Sequence, residues 1–263
     1  MTRGSGTVTK HEDAVIMKSW TPSTSPAVRS NRATRRPLYA MAVGAAVAAL
    51  FICAPPGQAN GEPTAFSSAD CDDVEVVFAR GTFESPGVGK VGEPFIEALR
   101  QRLPDRTVGI HPVNYPASLE FGRAVEGILD AGNHLRHLAA NCPTTEIVVG
   151  GYSQGAAVSG YVTSETVPAG YALTALPPNV VENVTAVVLF GKPSPGVLRL
   201  LQHDAPPIET GPAFEDRTID LCAPRDPVCE PRGGLDRGAH SAYAVNGMAE
   251  TAADFVVDHV RNR

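Results

Sequence analysis

The stretch Ile147-Val148-Val149-Gly150-Gly151-Tyr152-Ser153-Gln154-Gly155-Ala156-Ala157-Val158 decides how this chain is read. Its first three residues are β-branched and apolar, as a buried strand requires. Ala156-Ala157-Val158 can start a helix. Between them, Gly151 and Gly155 each stand two residues from Ser153. A serine held in a sharp strand-to-helix turn needs neighbours without side chains, so that strand and helix can pass close by. That context predicts Ser153 as a nucleophile displayed at the end of a sheet strand. The alternative is a structural serine in a turn.

Strand and helix signals alternate on either side of this segment. Glu75-Val76-Val77-Phe78-Ala79 is a short apolar run ended by Arg80-Gly81, and Thr107 to Val113 reads as a strand through Val108, Ile110 and Val113. Val91, Phe95, Leu99 and Leu103, each four apart, predict a helix between these two strands. Phe121, Val125, Ile128, Leu129, Leu135 and Leu138 predict one face of a long helix, with Ser118 as its N-cap. Further on, Val184 to Phe190 and Arg217 to Leu221 are strand candidates. Ala252, Val256 and Val260 have helical spacing within Met248 to Val260. The strands are apolar runs, not half-polar alternations, and they take turns with helices. This implies an α/β fold, with a parallel sheet covered on both faces, in one domain of about 200 residues.

A serine hydroxyl is a weak nucleophile near neutral pH. It needs a base, and the base needs an anchor. With a serine on this kind of turn the chain order is Ser, acid, His. Of the seven histidines, His11 lies in the N-terminal leader, His111, His134 and His137 precede Ser153, and His203 precedes the best acid. His259 sits late in the terminal helix, where a solvent-facing histidine is the ordinary reading. His240 closes the glycine-rich loop Gly233-Gly234-Leu235-Asp236-Arg237-Gly238-Ala239 and is the expected general base. Asp220, Asp226, Glu230 and Asp236 lie between Ser153 and His240. Asp226 is the expected acid, because it follows a strand and sits within Cys222-Ala223-Pro224-Arg225-Asp226-Pro227-Val228-Cys229. A disulfide across that loop and two prolines would hold the carboxylate still.

A tetrahedral oxyanion also needs hydrogen-bond donors. The N–H of Gln154, next after the serine, is one. Thr82, in Arg80-Gly81-Thr82 after an early strand, offers an N–H and a hydroxyl as the other. Val228, Leu235 and Ala239 flank the acid and base in sequence, and their size suggests an acyl wall for short to medium chains; residues that merely pack the loops are the alternative. This chemistry requires no metal and no organic cofactor.

The N-terminal part differs in kind. Leu38 to Cys53 is apolar and uncharged, follows Arg29, Arg32, Arg35 and Arg36, and leads to Gly57-Gln58-Ala59. That is a secretory signal pattern. A transmembrane anchor is the alternative, although the run is short of the roughly 20 residues a bilayer needs. Thr34-Arg35-Arg36-Pro37-Leu38 loosely resembles a twin-arginine signal. The expected division is a leader over 1–59, a linker rich in Gly, Pro, Ser and Ala over 60–70 and the domain over 71–263, exported to the extracellular space or cell wall. Of the 22 Lys/Arg, seven lie between Met1 and Ala59, against two of the 28 Asp/Glu. The remaining 15 basic and 26 acidic residues leave a net charge of −11 on residues 60–263. A surface this acidic argues against nucleic acid. The expected partner is an ester or lipid substrate, met by a monomer, and peripheral association with a cell envelope or lipid surface is compatible with it.

Loss of the leader removes Cys53 and leaves Cys71, Cys142, Cys222 and Cys229. An even number in an exported chain favours two disulfides, with three pairings open. Cys222 and Cys229 are close enough to close a small loop, and Cys71 and Cys142 would then tie the start of the domain to the end of a helix. The spacings do not match paired C-x-x-C zinc ligands.

Four segments together resemble the cutinase family of the α/β-hydrolases. They are Ala79-Arg80-Gly81-Thr82-Phe83-Glu84, the Gly-Tyr-Ser-Gln-Gly turn, the Cys-x-x-x-Asp-x-x-Cys loop and His240-Ser241-Ala242-Tyr243, and the resemblance runs from Cys71 to about Val260. It implies a single-domain, three-layer α/β/α hydrolase with a central, mainly parallel five-stranded sheet. It implies the disulfides Cys71–Cys142 and Cys222–Cys229, and a serine that no large lid buries. The family's nucleophile falls on Ser153, its acid on Asp226, its base on His240 and its oxyanion donors on Thr82 and Gln154. The family often has Ser where this chain has Thr82; both offer a hydroxyl and an N–H. The Ala/Gly/Val-rich composition and double-Arg leader resemble the actinobacterial, mycobacterium-type branch, whose members resemble esterases and lipases more than degraders of plant cutin. The resemblance therefore implies a secreted serine esterase for short- to medium-chain fatty-acid or lipid esters. A phospholipase or acyltransferase using the same residues, and a non-catalytic scaffold associated with the cell wall, are the alternatives.

Overall fold

Five apolar runs become the five strands of one sheet: β1 (Val74–Ala79), β2 (Val108–Pro112), β3 (Glu146–Tyr152), β4 (Val184–Phe190) and β5 (Thr218–Leu221). The computed structural model describes residues 71–165, 174–230 and 236–262. The expected leader and linker over 1–70, and Leu235, lie outside the described residues. The spatial order is β2-β1-β3-β4-β5, and every neighbouring pair is parallel. Every residue of β1 and β4 is buried, while the edge strands β2 and β5 are partly exposed. The central strands are apolar throughout because both of their faces are covered.

Successive side chains of a strand point to opposite faces, so each strand feeds two cores. Val77, Ala79, Val149, Val187 and Leu189 enter one core; Val76, Phe78, Val148, Val188 and Phe190 enter the other. The first core is covered by α2 (Ala124–Asn141) and α3 (Gln154–Val162), the second by α1 (Gly89–Arg102) and α7 (Met248–Arg261). This is the expected α/β/α arrangement in three layers. Three short helices, α4 (Pro178–Asn183), α5 (Pro195–Leu201) and α6 (Arg237–Ser241), complete the connections.

The strand order also sets where a site can form. The chain leaves β1 through α1 to β2 on one side, then returns so that β3 lies on the other side of β1. The connections leaving the carboxyl ends of β1 and β3 therefore run to opposite faces. A crevice opens between them, the position at which α/β sheets bind ligands.

Three sequence expectations need correction. Ser118 is not the N-cap of α2: its Oγ accepts from the Glu120 N–H (3.3 Å), a 3-10 turn follows over Phe121–Arg123, and α2 starts at Ala124 without a side-chain cap. Leu129 does not belong to the buried face of α2. It is exposed, and the small residues Gly127, Ala131 and Gly132 take the core side instead. A Cβ at Gly127 would lie 3.0 Å from the Tyr115 ring and 3.3 Å from Val158, so close packing against α3 selects small residues there. His259 is half-buried, with one ring nitrogen 2.8 Å from the Phe255 carbonyl and the other 3.1 Å from the Asp216 carbonyl, so it braces α7 and is only partly open to solvent.

The disulfides are Cys71–Cys142 and Cys222–Cys229, with sequence separations of 71 and 7. In the loop-entropy account the long crosslink is worth about 4 kcal/mol and the short one about 2 kcal/mol. Replacing Cys71 and Cys142 by serine is expected to lower the guanidinium unfolding midpoint by more than the same change at Cys222 and Cys229. An equal or smaller drop would show that loop length does not govern these bridges.

Candidate active site

β3 ends at Tyr152 and α3 begins at Gln154, so Ser153 alone makes the turn, at φ 55° and ψ −116°. Few residues with a Cβ adopt this conformation, and they do so where the surroundings over-determine it. Here the Ser153 N–H donates to the Phe190 carbonyl (2.8 Å), and its carbonyl accepts from the Ala157 N–H (3.2 Å). A Cβ at Gly151 would fall 2.2 Å from the Gly155 oxygen, and one at Gly155 would fall 1.9 Å from the Ala79 oxygen. Both glycines are therefore required by backbone-to-backbone approach, as the sequence pattern implies.

The structure brings the predicted acid and base to this serine. His240 Nε2 lies 2.9 Å from Ser153 Oγ, and His240 Nδ1 lies 2.8 Å from Asp226 Oδ2. Asp226 is fully buried in the loop closed by Cys222–Cys229. The Val228 N–H donates to its Oδ1 (2.8 Å), and the Tyr243 hydroxyl donates to its Oδ2. Arg225, at φ 68°, turns the chain so that Asp226 points inward, while the Arg225 N–H donates to Glu230 Oε2 (2.5 Å). Burial would raise the Asp226 carboxyl. The hydrogen bonds from His240, Tyr243 and the Val228 amide outweigh it and hold the group below the usual carboxylate range.

His240 sits in α6, whose first N–H groups, on Gly238 and Ala239, donate to Asp236 Oδ1 (3.0 and 3.3 Å). The Tyr152 hydroxyl donates to the His240 carbonyl (2.6 Å), and the two rings are 5.0 Å apart. Two residues of this assembly carry no role in the sequence reading. Tyr243 is fully buried, donates to Asp226 and accepts from the Ala223 N–H (3.0 Å). Burial, then its bond to the carboxylate, pushes its phenol above the usual range, so it remains a proton donor. Gly191, at φ 57°, follows β4; a Cβ there would meet His240 at 3.0 Å and Asp226 at 3.2 Å. The only sequence hint to Tyr243 is its position in His240-Ser241-Ala242-Tyr243.

The loop after β1 is fixed by a buried ion. The Arg80 guanidinium donates to the carbonyls of Glu84 (2.9 Å), Val113 (3.3 Å) and Tyr115 (2.5 Å). Glu84 Oε2 accepts from the Gly81 N–H (2.6 Å), and the Phe83 N–H donates to the Ala117 carbonyl (2.7 Å). Thr82 is carried on this braced loop and lines the same groove as Ser153 and Gln154. Gln154, as the first residue of α3, has an N–H with no acceptor within the helix, while its side-chain amide donates to the Ser118 carbonyl (2.8 Å).

The groove over Ser153 is open, with a volume of about 580 Å³. Val228 lines it. Ala239 does not, and Leu235 lies outside the described residues. The larger apolar lining comes from segments distant in sequence, chiefly Leu119, Phe121, Val197 and Leu201. Among the described residues no three His, Cys, Asp or Glu side chains converge as metal ligands.

The family profile described as "Cutinase" matches residues 70–260. The chain is 46% identical over 170 residues to a probable carboxylesterase, Culp5, of Mycobacterium tuberculosis, covering 64% of this chain and 95% of that one. It is 41% identical over 194 residues to the phospholipase Culp4 of the same organism, covering 74% and 81%. Among solved structures, Trichoderma reesei cutinase in complex with a phosphonate inhibitor superposes with a TM-score of 0.54 at 31% identity, covering 72% of this chain and 77% of that one.

Because the folded environment holds the Asp226 carboxyl low, its ionised form favours the folded state above the unfolded-chain value of about 3.9. That contribution fades as pH falls through the folded-state value. The stability gap between the protein and Asp226→Asn, from denaturant unfolding, is expected to narrow from pH 6 to pH 3. A constant gap would mean that Asp226 is not held ionised.

Proposed function

This chain belongs to the cutinase family and is a serine carboxylic ester hydrolase, and we propose that Ser153, His240 and Asp226 carry its chemistry on short- to medium-chain fatty-acid or lipid esters. The observation that supports this most directly is the unbroken run of hydrogen bonds from Ser153 Oγ through His240 to the buried Asp226. His240 Nε2 takes the hydroxyl proton as Oγ attacks the ester carbonyl carbon. The carbonyl electron pair moves to oxygen, which meets the Gln154 N–H and the Thr82 N–H and hydroxyl. The acyl C–O bond then breaks, and His240 returns the proton to the departing alcohol oxygen. Water repeats the sequence on the acyl-enzyme: His240 takes its proton, the acid leaves, and the hydroxyl is restored. Asp226 fixes the imidazole tautomer and stabilises the imidazolium formed in each half.

Tyr243 acts through Asp226 as a positioning residue. Its hydroxyl and the Val228 N–H occupy lone pairs that His240 leaves free, so the carboxylate cannot rotate away. The open groove supports an acyl chain lying along Leu119, Phe121 and Val197. Export through the N-terminal leader is part of the same proposal. It is supported by the basic-then-apolar pattern ending at Gly57-Gln58-Ala59 and by the two disulfides, which persist in oxidising compartments. Phospholipid hydrolysis is the second reading, favoured by the relative named as a phospholipase.

Across p-nitrophenyl esters from acetate to palmitate, the protein is expected to be most active on the short and medium chains. Ser153→Ala should keep its fold and lose on the order of 10⁴-fold in turnover. Undiminished hydrolysis by that variant, or failure of a fluorophosphonate probe to label the protein, would end the proposal, and a maximum at palmitate would correct the chain length. Tyr243→Phe is expected to lower kcat about tenfold with little change in KM, since it removes one hydrogen bond to a buried ion. Unchanged kcat would reduce Tyr243 to a packing role.

A further inference from the structure

Two cations face the groove and have no part in the chemistry above. Lys90, in the first turn of α1, and Arg237, at the start of α6, line it together with Ser153 and His240. Lys90 Nζ lies 3.4 Å from Ser241 Oγ and 5.3 Å from the centre of the Tyr152 ring. Arg237 stands four residues before Ser241 in α6, and residues four apart on a helix are neighbours on one face. Both cations thus line one groove with Ser241, the residue next to His240.

Both side chains are exposed, and among the described residues neither is ion-paired. Lys192, by contrast, pairs with Asp220 and Arg225 with Asp236. Glu84, on the loop beside Lys90, is engaged by the N–H groups of Gly81 and Lys90. The surrounding domain is acidic, with a net charge of −11 on residues 60–263, and these two cations stand at the groove against that charge. The other side of the groove is apolar. Phe121 rises from the core under α2 and α3, whereas Tyr152, beneath Lys90, belongs to the core under α1 and α7.

We propose that Lys90 and Arg237 form a subsite for an anionic group of the phosphate class carried on the alcohol part of the ester, with the acyl chain on the apolar wall. This rests on the reading of His240 as proton donor to the departing alcohol. The leaving oxygen must lie within hydrogen-bond reach of His240 Nε2, and Arg237 and Ser241 flank His240 on its own helix. The bond broken remains the acyl C–O bond. Ser153 Oγ takes the acyl group, the alcohol oxygen takes the proton from His240, and the anion leaves with the alcohol. No further reactant besides water is needed.

The test compares two soluble esters of nearly one shape, dibutyrylglycerol 3-phosphate and its neutral dimethyl phosphate triester, with p-nitrophenyl butyrate measured alongside. In the wild-type protein the anionic ester is expected to have the higher kcat/KM at low salt, with the advantage shrinking as NaCl screens the charges. The double substitution Lys90→Gln and Arg237→Gln should lower the anionic-to-neutral ratio about tenfold, the scale expected of two exposed charge contacts, and Lys90→Arg should preserve it. An unchanged ratio, or an equal fall on both esters, overturns the subsite. A third arm uses phosphatidylglycerol and phosphatidylcholine vesicles. A charge preference on vesicles that is absent with the soluble pair would mean attraction to a surface and also overturns it. If p-nitrophenyl butyrate is cleaved while the ratio ignores the substitutions, the subsite fails and the Ser153 chemistry stands; if wild-type protein cleaves none of these esters, both fail.

Discussion

The first turn of α3 lies directly against the end of β1, with the Gly155 Cα facing the Ala79 and Arg80 carbonyls at a distance that leaves no room for a methyl group. The rest of the site depends on that approach. It lets the chain reverse within one residue after β3, so that Ser153 takes a conformation it would not adopt alone. Thr82, on the loop after β1, lines the same groove as Gln154. The same approach also fixes both elements to the two central strands, whose residues are buried almost throughout. Proximity and electrostatic catalysis both require geometry held to within fractions of an ångström, and sites built on strands and helices are held more closely than sites built on loops.

A buried carboxylate is the most costly element of this arrangement. Leaving a charge in an apolar interior without partners is prohibitive, so such a group either gathers hydrogen bonds or becomes neutral. Asp226 gathers them from three directions: His240, Tyr243 and the Val228 amide. Each of these donors is fixed by something else. Tyr243 is pinned by the Ala223 N–H, Val228 by the Ser194 N–H on its carbonyl, and the loop by Cys222–Cys229. The result is an acceptor whose orientation does not relax when the imidazole beside it changes charge. In the proposed mechanism that rigidity lowers the cost of forming an imidazolium at the moment of attack.

Much of this was legible in the sequence, for identifiable reasons. The strands were legible because both faces of a parallel sheet are apolar, so β1, β3 and β4 are continuous hydrophobic runs. Ser153 was legible because the glycines around it answer a local steric demand, and Asp226 because its disulfide loop is short. What escaped were contacts between segments remote in sequence. Tyr243 reaches Asp226 from another loop, and Arg80 reaches the Val113 and Tyr115 carbonyls some 33 and 35 residues on. No periodicity encodes such pairs. The acyl wall was sought beside the acid and base along the chain, whereas Leu119, Phe121, Val197 and Leu201 line the groove from the segment before α2 and from α5. Helices α4 and α5 have six and seven residues, too short for a 3.6-residue repeat to declare itself. In α2 the periodicity held, but Leu129 falls on its exposed side, while Gly127, tight against Tyr115 and against Val158 of α3, takes the core side.

The sheet also divides the groove. Phe121 belongs to the core under α2 and α3, and Val197 and Leu201 stand on α5, whose Leu198 enters the same core, whereas Lys90 stands on α1, which packs on the other core. Substitutions that share no partners act nearly additively. An acyl preference built at Leu119, Val197 and Leu201 and an alcohol preference built at Lys90 and Arg237 can therefore vary without disturbing each other. Both sides meet at Ser153 and His240, where the tolerance is smallest. A fold of this kind separates the parts that select a substrate from the part that must stay rigid, and does so through strand order alone, since the same crossover that opens the crevice sends the two connections to opposite faces.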